Sequence, residues 1–134
     1  MASNGKIKVL MAQFPLETHS REIIAVAGML KHEGMEVILM GNALPEDIIE
    51  KAVQESVDAI GICTYGGGEV VLGGELIKAA EKKGIKKRTS FIIGGIIAPD
   101  NIHKLTNLGF DGSFLTATKE EIVSCIQSAV AAKN

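Results

Sequence analysis

Short apolar runs of β type and longer amphipathic segments alternate five times along this chain, and that alternation restricts the fold more than any other feature. The runs Lys6–Ala12, Glu36–Met40, Ala59–Cys63, Ser90–Ile93 and Gly112–Leu115 have strand length and are rich in aliphatic side chains. The segments that follow carry apolar residues at helical spacing, among them Ile23, Ala27 and Leu30; Ile48, Ile49, Ala52 and Val53; Leu72, Leu76, Ile77 and Ala80; and Ile122, Ile126 and Val130. A helix is therefore expected after each strand. Gly34, Gly84 and Gly109 mark helix ends, whereas Pro45 and the pair Thr118-x-x-Glu121 mark helix starts. Val9-Leu10-Met11 and Ala59-Ile60-Gly61-Ile62 are apolar on both faces, as parallel strands must be when helices cover both sides. The predicted fold is α/β: a doubly wound, five-stranded parallel sheet, (βα)₅.

Residues 1–134 suit one domain, large enough to bury roughly 68% of the unfolded chain's surface. The chain is 46% hydrophobic but 4% aromatic, without Trp, so its core is expected to be aliphatic. Residues 1–5 are polar and expected to be disordered. With 14 Lys and Arg against 16 Asp and Glu, no basic stripe is available for a phosphate backbone, which argues against nucleic acid as a partner. The start, Met1-Ala2-Ser3-Asn4-Gly5, is short and polar, and no apolar run approaches the roughly 18 residues of a membrane span. Cys63 and Cys125 lack metal-type spacing, and a reducing, cytoplasmic setting is the expectation.

In such a sheet ligands bind outside the carboxyl ends of the strands, where strand order reverses, so the loops after strands one, three and four hold the candidate site. The first is long, Gln13 to His19, and offers an imidazole. The second is Thr64-Tyr65-Gly66-Gly67-Gly68-Glu69, and the third is Gly94-Gly95-Ile96-Ile97-Ala98-Pro99. Glycines in two neighbouring loops leave room for a groove between sheet and helices, into which something long and partly polar could lie. Other doubly wound folds want different loops. A response-regulator receiver needs an aspartate where Cys63 stands and an acidic pair after strand one; a flavodoxin needs a phosphate-cradling loop in place of Gln13-Phe14-Pro15-Leu16; a dinucleotide fold needs Gly-x-Gly-x-x-Gly there.

These loops resemble those of the cobalamin-binding domain family, specifically the small subunit or carboxy-terminal domain of methylmalonyl-CoA-mutase-type enzymes, and the resemblance covers nearly the whole chain. The family motif Asp-x-His-x-x-Gly falls on Glu17, Thr18, His19, Ser20, Arg21 and Glu22, retaining the histidine. Ser-x-Leu falls on Cys63, Thr64 and Tyr65, and the Gly-Gly pair is met by Gly94 and Gly95. The resemblance implies a flavodoxin-like, Rossmann-like fold that holds cobalamin base-off, most readily adenosylcobalamin. It implies His19 as the lower cobalt ligand and Glu17 as the carboxylate that fixes its tautomer. The displaced nucleotide tail would lie in a groove lined by the other motifs, with Gly66, Gly67 and Thr116 as further contacts. Glu22 stands where the family has glycine and would begin a helix, whose positive end it would suit. The implied activity is a radical carbon-skeleton isomerisation of an acyl-CoA, carried out with a separate barrel-type catalytic subunit; the chain alone would not be active, and a homo-oligomer is left open. Two other readings stand beside this one: a diverged (βα)₅ binding module for another ligand or protein partner, and a corrinoid carrier in methyl transfer.

The remaining polar features have plain structural readings. Gly66-Gly67-Gly68 and Gly94-Gly95 also suit tight turns, His32 and His103 suit solvated helix faces, and Cys125 suits a small buried hydrophobe. Lys82-Lys83 and Lys86-Lys87-Arg88 form a basic run at a helix end, where positive charge complements the dipole.

Overall fold

The computed structural model describes residues 6–18, 20–65, 67–115 and 117–133; the amino-terminal segment 1–5 expected to be disordered lies outside them. Among the described residues five strands and five helices alternate strictly: β1 (Lys8–Gln13), α1 (Ser20–His32), β2 (Glu36–Asn42), α2 (Pro45–Glu55), β3 (Ala59–Thr64), α3 (Glu69–Lys82), β4 (Ser90–Gly95), α4 (Pro99–Leu108), β5 (Gly112–Phe114) and α5 (Lys119–Lys133). All pairings are parallel, in the order β2-β1-β3-β4-β5. Four of the strands are shifted or lengthened toward their carboxyl ends relative to the sequence expectation, and β5 stops one residue short. The reason is that pairing there is carried by backbone alone. Thr64 and Gly95 stand opposite each other, as do Gln13 and Asn42, although neither pair is apolar.

Alternation of side chains divides the core into two layers. Leu10 and Ala12, Ile60 and Ile62, and Phe91 and Ile93 face α2, α3 and α4; Val9 and Met11, Ala59 and Cys63, and Ile92 face α1 and α5. Each helix brings its spaced apolar residues to the sheet: Ile23, Ala27 and Leu30 from α1, Leu76, Ile77 and Ala80 from α3, Val123, Ile126 and Val130 from α5. Burial of a Leu or Ile of this kind stabilises the fold by roughly 1.5–3 kcal/mol. Helix α5 starts on the expected capping box, with Glu121 N–H donating to Thr118 Oγ1 at 3.1 Å and Thr118 N–H donating to Glu121 Oε1 at 3.0 Å. Those bonds hold the exposed Glu121 carboxyl below its usual range. His32 and His103 are exposed, and Cys125 is half-buried against the α1/α5 layer.

Lys86 departs from the helix-dipole reading. Its ammonium lies 5.4 Å from the centre of the buried Phe91 ring, and burial, then the neighbouring Lys133, lowers its pKa. Lys133 closes the same end of the sheet, donating to Lys86 O at 3.0 Å, Thr89 O at 2.6 Å and Asp111 Oδ2 at 2.9 Å.

Two strand glycines are required for different reasons. A Cβ on Gly61 would sit 2.5 Å from Met11 Sδ, the movable end of a flexible side chain. One on Gly95, at φ 140°, would sit 1.8 Å from the backbone oxygen of Thr64, which cannot give way. Gly95→Ala should therefore cost at least about 3 kcal/mol, against about 1–3 kcal/mol for Gly61→Ala, as read by urea unfolding. Equal costs would mean that β4 can draw away from β3.

Candidate functional site

The strand order reverses at β1. Helix α1 leaves β1 toward one face of the sheet and α3 leaves the neighbouring β3 toward the other, so the loops after β1 and β3 diverge. Beside this crevice a cavity of about 420 Å³ runs down from the carboxyl edge between the sheet and helices α1 and α5. Its floor is Met11, Gly61 and Ile92 from the strands; its walls are Ala25, Val26 and Leu30 of α1 and Ile122 and Ile126 of α5. The absence of a side chain at Gly61 gives the floor its depth, since any Cβ there would meet Met11.

Polar groups gather at the mouth, where Glu22, Cys63 and Tyr65 face Gly94, Gly95 and Ile96 across the opening, with Phe114, Leu115 and Ala117 on the β5 side. Burial pushes the Cys63 thiol up to about 12, and the carboxylates of Glu17 and Glu22 add to the effect. The Tyr65 hydroxyl is also raised to about 12, by burial first and then by Cys63, Glu22 and Glu17. Cys63 is thus a neutral, small wall residue rather than a nucleophile.

The loop after β1 is tied down from two sides. Tyr65 N–H donates to Glu17 Oε1 at 2.7 Å, which joins the loops on either side of the reversal. From the edge strand, Asn42 Nδ2 donates to Phe14 O at 3.0 Å and to Glu17 O at 2.6 Å. Phe14–Glu17 is a turn closed by Glu17 N–H to Phe14 O at 3.3 Å, with Pro15 at its second corner and Leu16 at its third with φ 69°. That is the pattern of a type II turn, whose third position favours Gly or Asn. Leu there costs roughly 1–2 kcal/mol.

The structure sorts the residues singled out in the sequence. Glu22, Cys63, Tyr65, Gly94 and Gly95 line the cavity, and Glu17 is joined to its rim through Tyr65. Thr18, Ser20 and Arg21 are exposed around the start of α1, and Gly67 is exposed before α3; none of them lines the cavity. Thr64 is buried and does not line it either, because strand alternation turns it away from Cys63 and Tyr65; its backbone oxygen instead accepts from Ile96 N–H at 2.9 Å. His19, Gly66 and Thr116 lie outside the described residues. Among the described residues no three His, Cys, Asp or Glu side chains converge as a metal site, and no helix is long and apolar enough to cross a membrane. Sequence reading missed Asn42, and it missed the α1 and α5 walls of the cavity. The helical spacing of Leu30 and Ile126 was visible, but not that their helices stand apart near the carboxyl edge.

A family model described as B12 binding domain matches residues 7–123. The chain belongs to that family. It is 30% identical over 129 residues to the 2-hydroxyisobutanoyl-CoA mutase small subunit of Aquincola tertiaricarbonis, covering 95% of this chain and 94% of that one. It is 28% identical over 128 residues to the pivalyl-CoA mutase small subunit of Xanthobacter autotrophicus, covering 93% and 84%. A crystal structure of a cobalamin-binding protein from Desulfitobacterium hafniense superposes with a TM-score of 0.80 at 19% identity, over 94% of this chain and 60% of that one. At that identity the likeness shows the fold. The residues of this B12-binding domain suit the family's cofactor: the cavity is deep, its walls are aliphatic, and its mouth carries hydrogen-bonding groups, as a planar apolar base on a polar tail requires.

The raised thiol makes a prediction. Iodoacetamide at pH 8 should modify Cys63 in the native chain at least about a hundredfold more slowly than in the urea-unfolded chain, read by peptide mass spectrometry. Rapid native labelling would mean that the cavity mouth is open and polar.

Proposed function

We propose that this chain is the cobalamin-carrying small subunit of a coenzyme A mutase. In this reading it holds adenosylcobalamin base-off, with His19 as the lower ligand, and presents it to a separate barrel-type catalytic subunit for radical carbon-skeleton isomerisation of an acyl-CoA. The observation that carries the reading is the apolar cavity at the reversal of strand order, opening beside the loop that bears His19, in a chain matched almost end to end by mutase small subunits. When bound, the cofactor supplies a cobalt–carbon bond that can be broken homolytically.

The work of the chain's own residues is binding and orientation. Met11, Leu30, Ile92, Ile122 and Ile126 take the apolar base out of water, and Gly61 leaves it room. Tyr65 and the backbone of Gly94 and Gly95 meet the polar part of the tail at the mouth. His19 offers a ring nitrogen as ligand, and the Glu17 carboxylate, already anchored on Tyr65 N–H, accepts the proton of the other ring nitrogen and so sets the tautomer. Glutamate is one methylene longer than the family's aspartate, and its bond to Tyr65 holds that longer arm to one course.

Glu22 favours a second reading, a (βα)₅ module with another ligand, because it sets a carboxylate at the cavity mouth where the family has glycine. A visible-absorption titration with hydroxocobalamin and adenosylcobalamin separates the two. The wild-type chain should give a base-off, histidine-on spectrum, and His19→Ala should lose that signature. Glu17→Gln should bind about 10- to 100-fold more weakly. No uptake of either cobalamin by the wild-type chain would overturn the first reading in favour of the second.

A further inference from the structure

The turn that leads into the His19 loop is held in a conformation its own sequence does not favour. Leu16 has φ 69°, and its side chain is 95% exposed, so no burial offsets the unfavourable backbone. Pro15 fixes only its own φ. The bond that closes the turn, Glu17 N–H to Phe14 O, is 3.3 Å long. What spans the turn is Asn42. One amide nitrogen donates to the carbonyls at both ends, Phe14 O at 3.0 Å and Glu17 O at 2.6 Å. A primary amide has two N–H groups, one for each acceptor.

Asn42 reaches this place through an irregularity in the sheet. The register of β2 on β1 runs Met11 opposite Leu39 and then Ala12 opposite Gly41, so one extra residue is inserted in β2. Gly41 takes φ 86° at that step. The bulge sets Asn42 opposite Gln13 at the very end of β1, where an unbulged strand would have brought Gly41. Ala43 N–H then donates to Gln13 O at 2.8 Å and locks the shifted register.

We infer that Asn42 is a positioning residue: its amide clamps the strained Phe14–Glu17 turn and thereby fixes the point from which the His19 segment and α1 begin. Its bearing on cobalt ligation rests on the function proposed above; the clamp itself does not. Glu17 joins the two halves of the arrangement, its carbonyl held by Asn42 and its carboxylate by Tyr65 N–H. Loss of the clamp frees the turn to leave the left-handed region at Leu16, which moves Glu17 and everything two residues beyond it.

The test uses the full chain and the variants Asn42→Ala, Asn42→Asp and Leu16→Asn/Asn42→Ala. Asp keeps the shape of Asn but has no N–H to donate, so it should behave like Ala. In the cofactor-free protein, hydrogen exchange at the amides of Glu17 and Tyr65 should quicken at least about tenfold in both single variants, while Ile60 and Ile62 in β3 keep wild-type protection. With cobalamin bound, cob(II)alamin EPR of ¹⁵N-histidine-labelled protein should lose histidine hyperfine splitting in Asn42→Ala by more than half. Leu16→Asn, which relieves the backbone, should restore part of both readouts. Unchanged exchange at Glu17 and Tyr65 overturns the clamp, and so does equal quickening at Ile60 and Ile62, the mark of a general loss of stability. A wild-type chain that takes up no cobalamin removes the function reading and the EPR arm, and the exchange arm still decides the clamp.

Discussion

Everything at the carboxyl edge follows from the reversal of winding at β1. Parallel strands need crossovers, and crossovers are right-handed, so a chain that moves outward from β1 to β2 and then back past β1 to β3 must change faces. Helix α1 covers one face, α2 to α4 the other, and α5 returns to the side of α1. Loops leaving adjacent strands in opposite directions leave a crevice between their paths, which the bond from Tyr65 N–H to Glu17 Oε1 bridges. The crevice between them is therefore a consequence of topology, and side chains decide only what it holds.

What they have built is an aliphatic cavity with a polar mouth. Met11 and Gly61 act as one unit, since the glycine makes space that the methionine partly fills, and the cavity floor lies where the two meet. Gly95 acts in the opposite sense. It lets β4 approach the backbone of Thr64 closely enough for Ile96 N–H to bond to Thr64 O, which closes the sheet at the edge on which the mouth opens. Burial first, and the carboxylates of Glu17 and Glu22 after it, raise the pKa values of Cys63 and Tyr65. The mouth thus offers Glu22, Cys63 and Tyr65 as hydrogen-bonding groups above an aliphatic cavity.

The loop after β1 carries the tension between local preference and tertiary fold. Leucine is a poor choice for a left-handed position, and its exposed side chain gains nothing from being there. The conformation persists because Asn42 at the end of β2, 25 residues from Glu17 in sequence, and Tyr65 in the loop just after β3, 48 residues away, bind the turn from either side of β1. Local strain held by distant hydrogen bonds is the usual form in which a scaffold aims a functional segment.

The fold was legible because its signals are local and periodic. Apolar runs on both faces of β1 and β3, helical spacing in α1 to α3 and α5, and the stops at Gly34, Gly84 and Gly109 each depend on a few neighbouring residues. The capping box at Thr118 and Glu121 formed as spaced. Motif positions cluster at the carboxyl edge of the sheet, where Glu22, Cys63, Tyr65, Gly94 and Gly95 meet around one opening. Thr64 shows the limit, since adjacency in a motif does not survive the two-residue alternation of a strand, which turns every second side chain to the opposite face. By itself, then, the sequence determined the elements and the winding. Only the tertiary structure decided that a one-residue bulge in β2 brings Asn42 to the His19 loop and that α1 and α5 stand apart over Gly61, because register and helix separation are set by contacts among residues far apart in the chain.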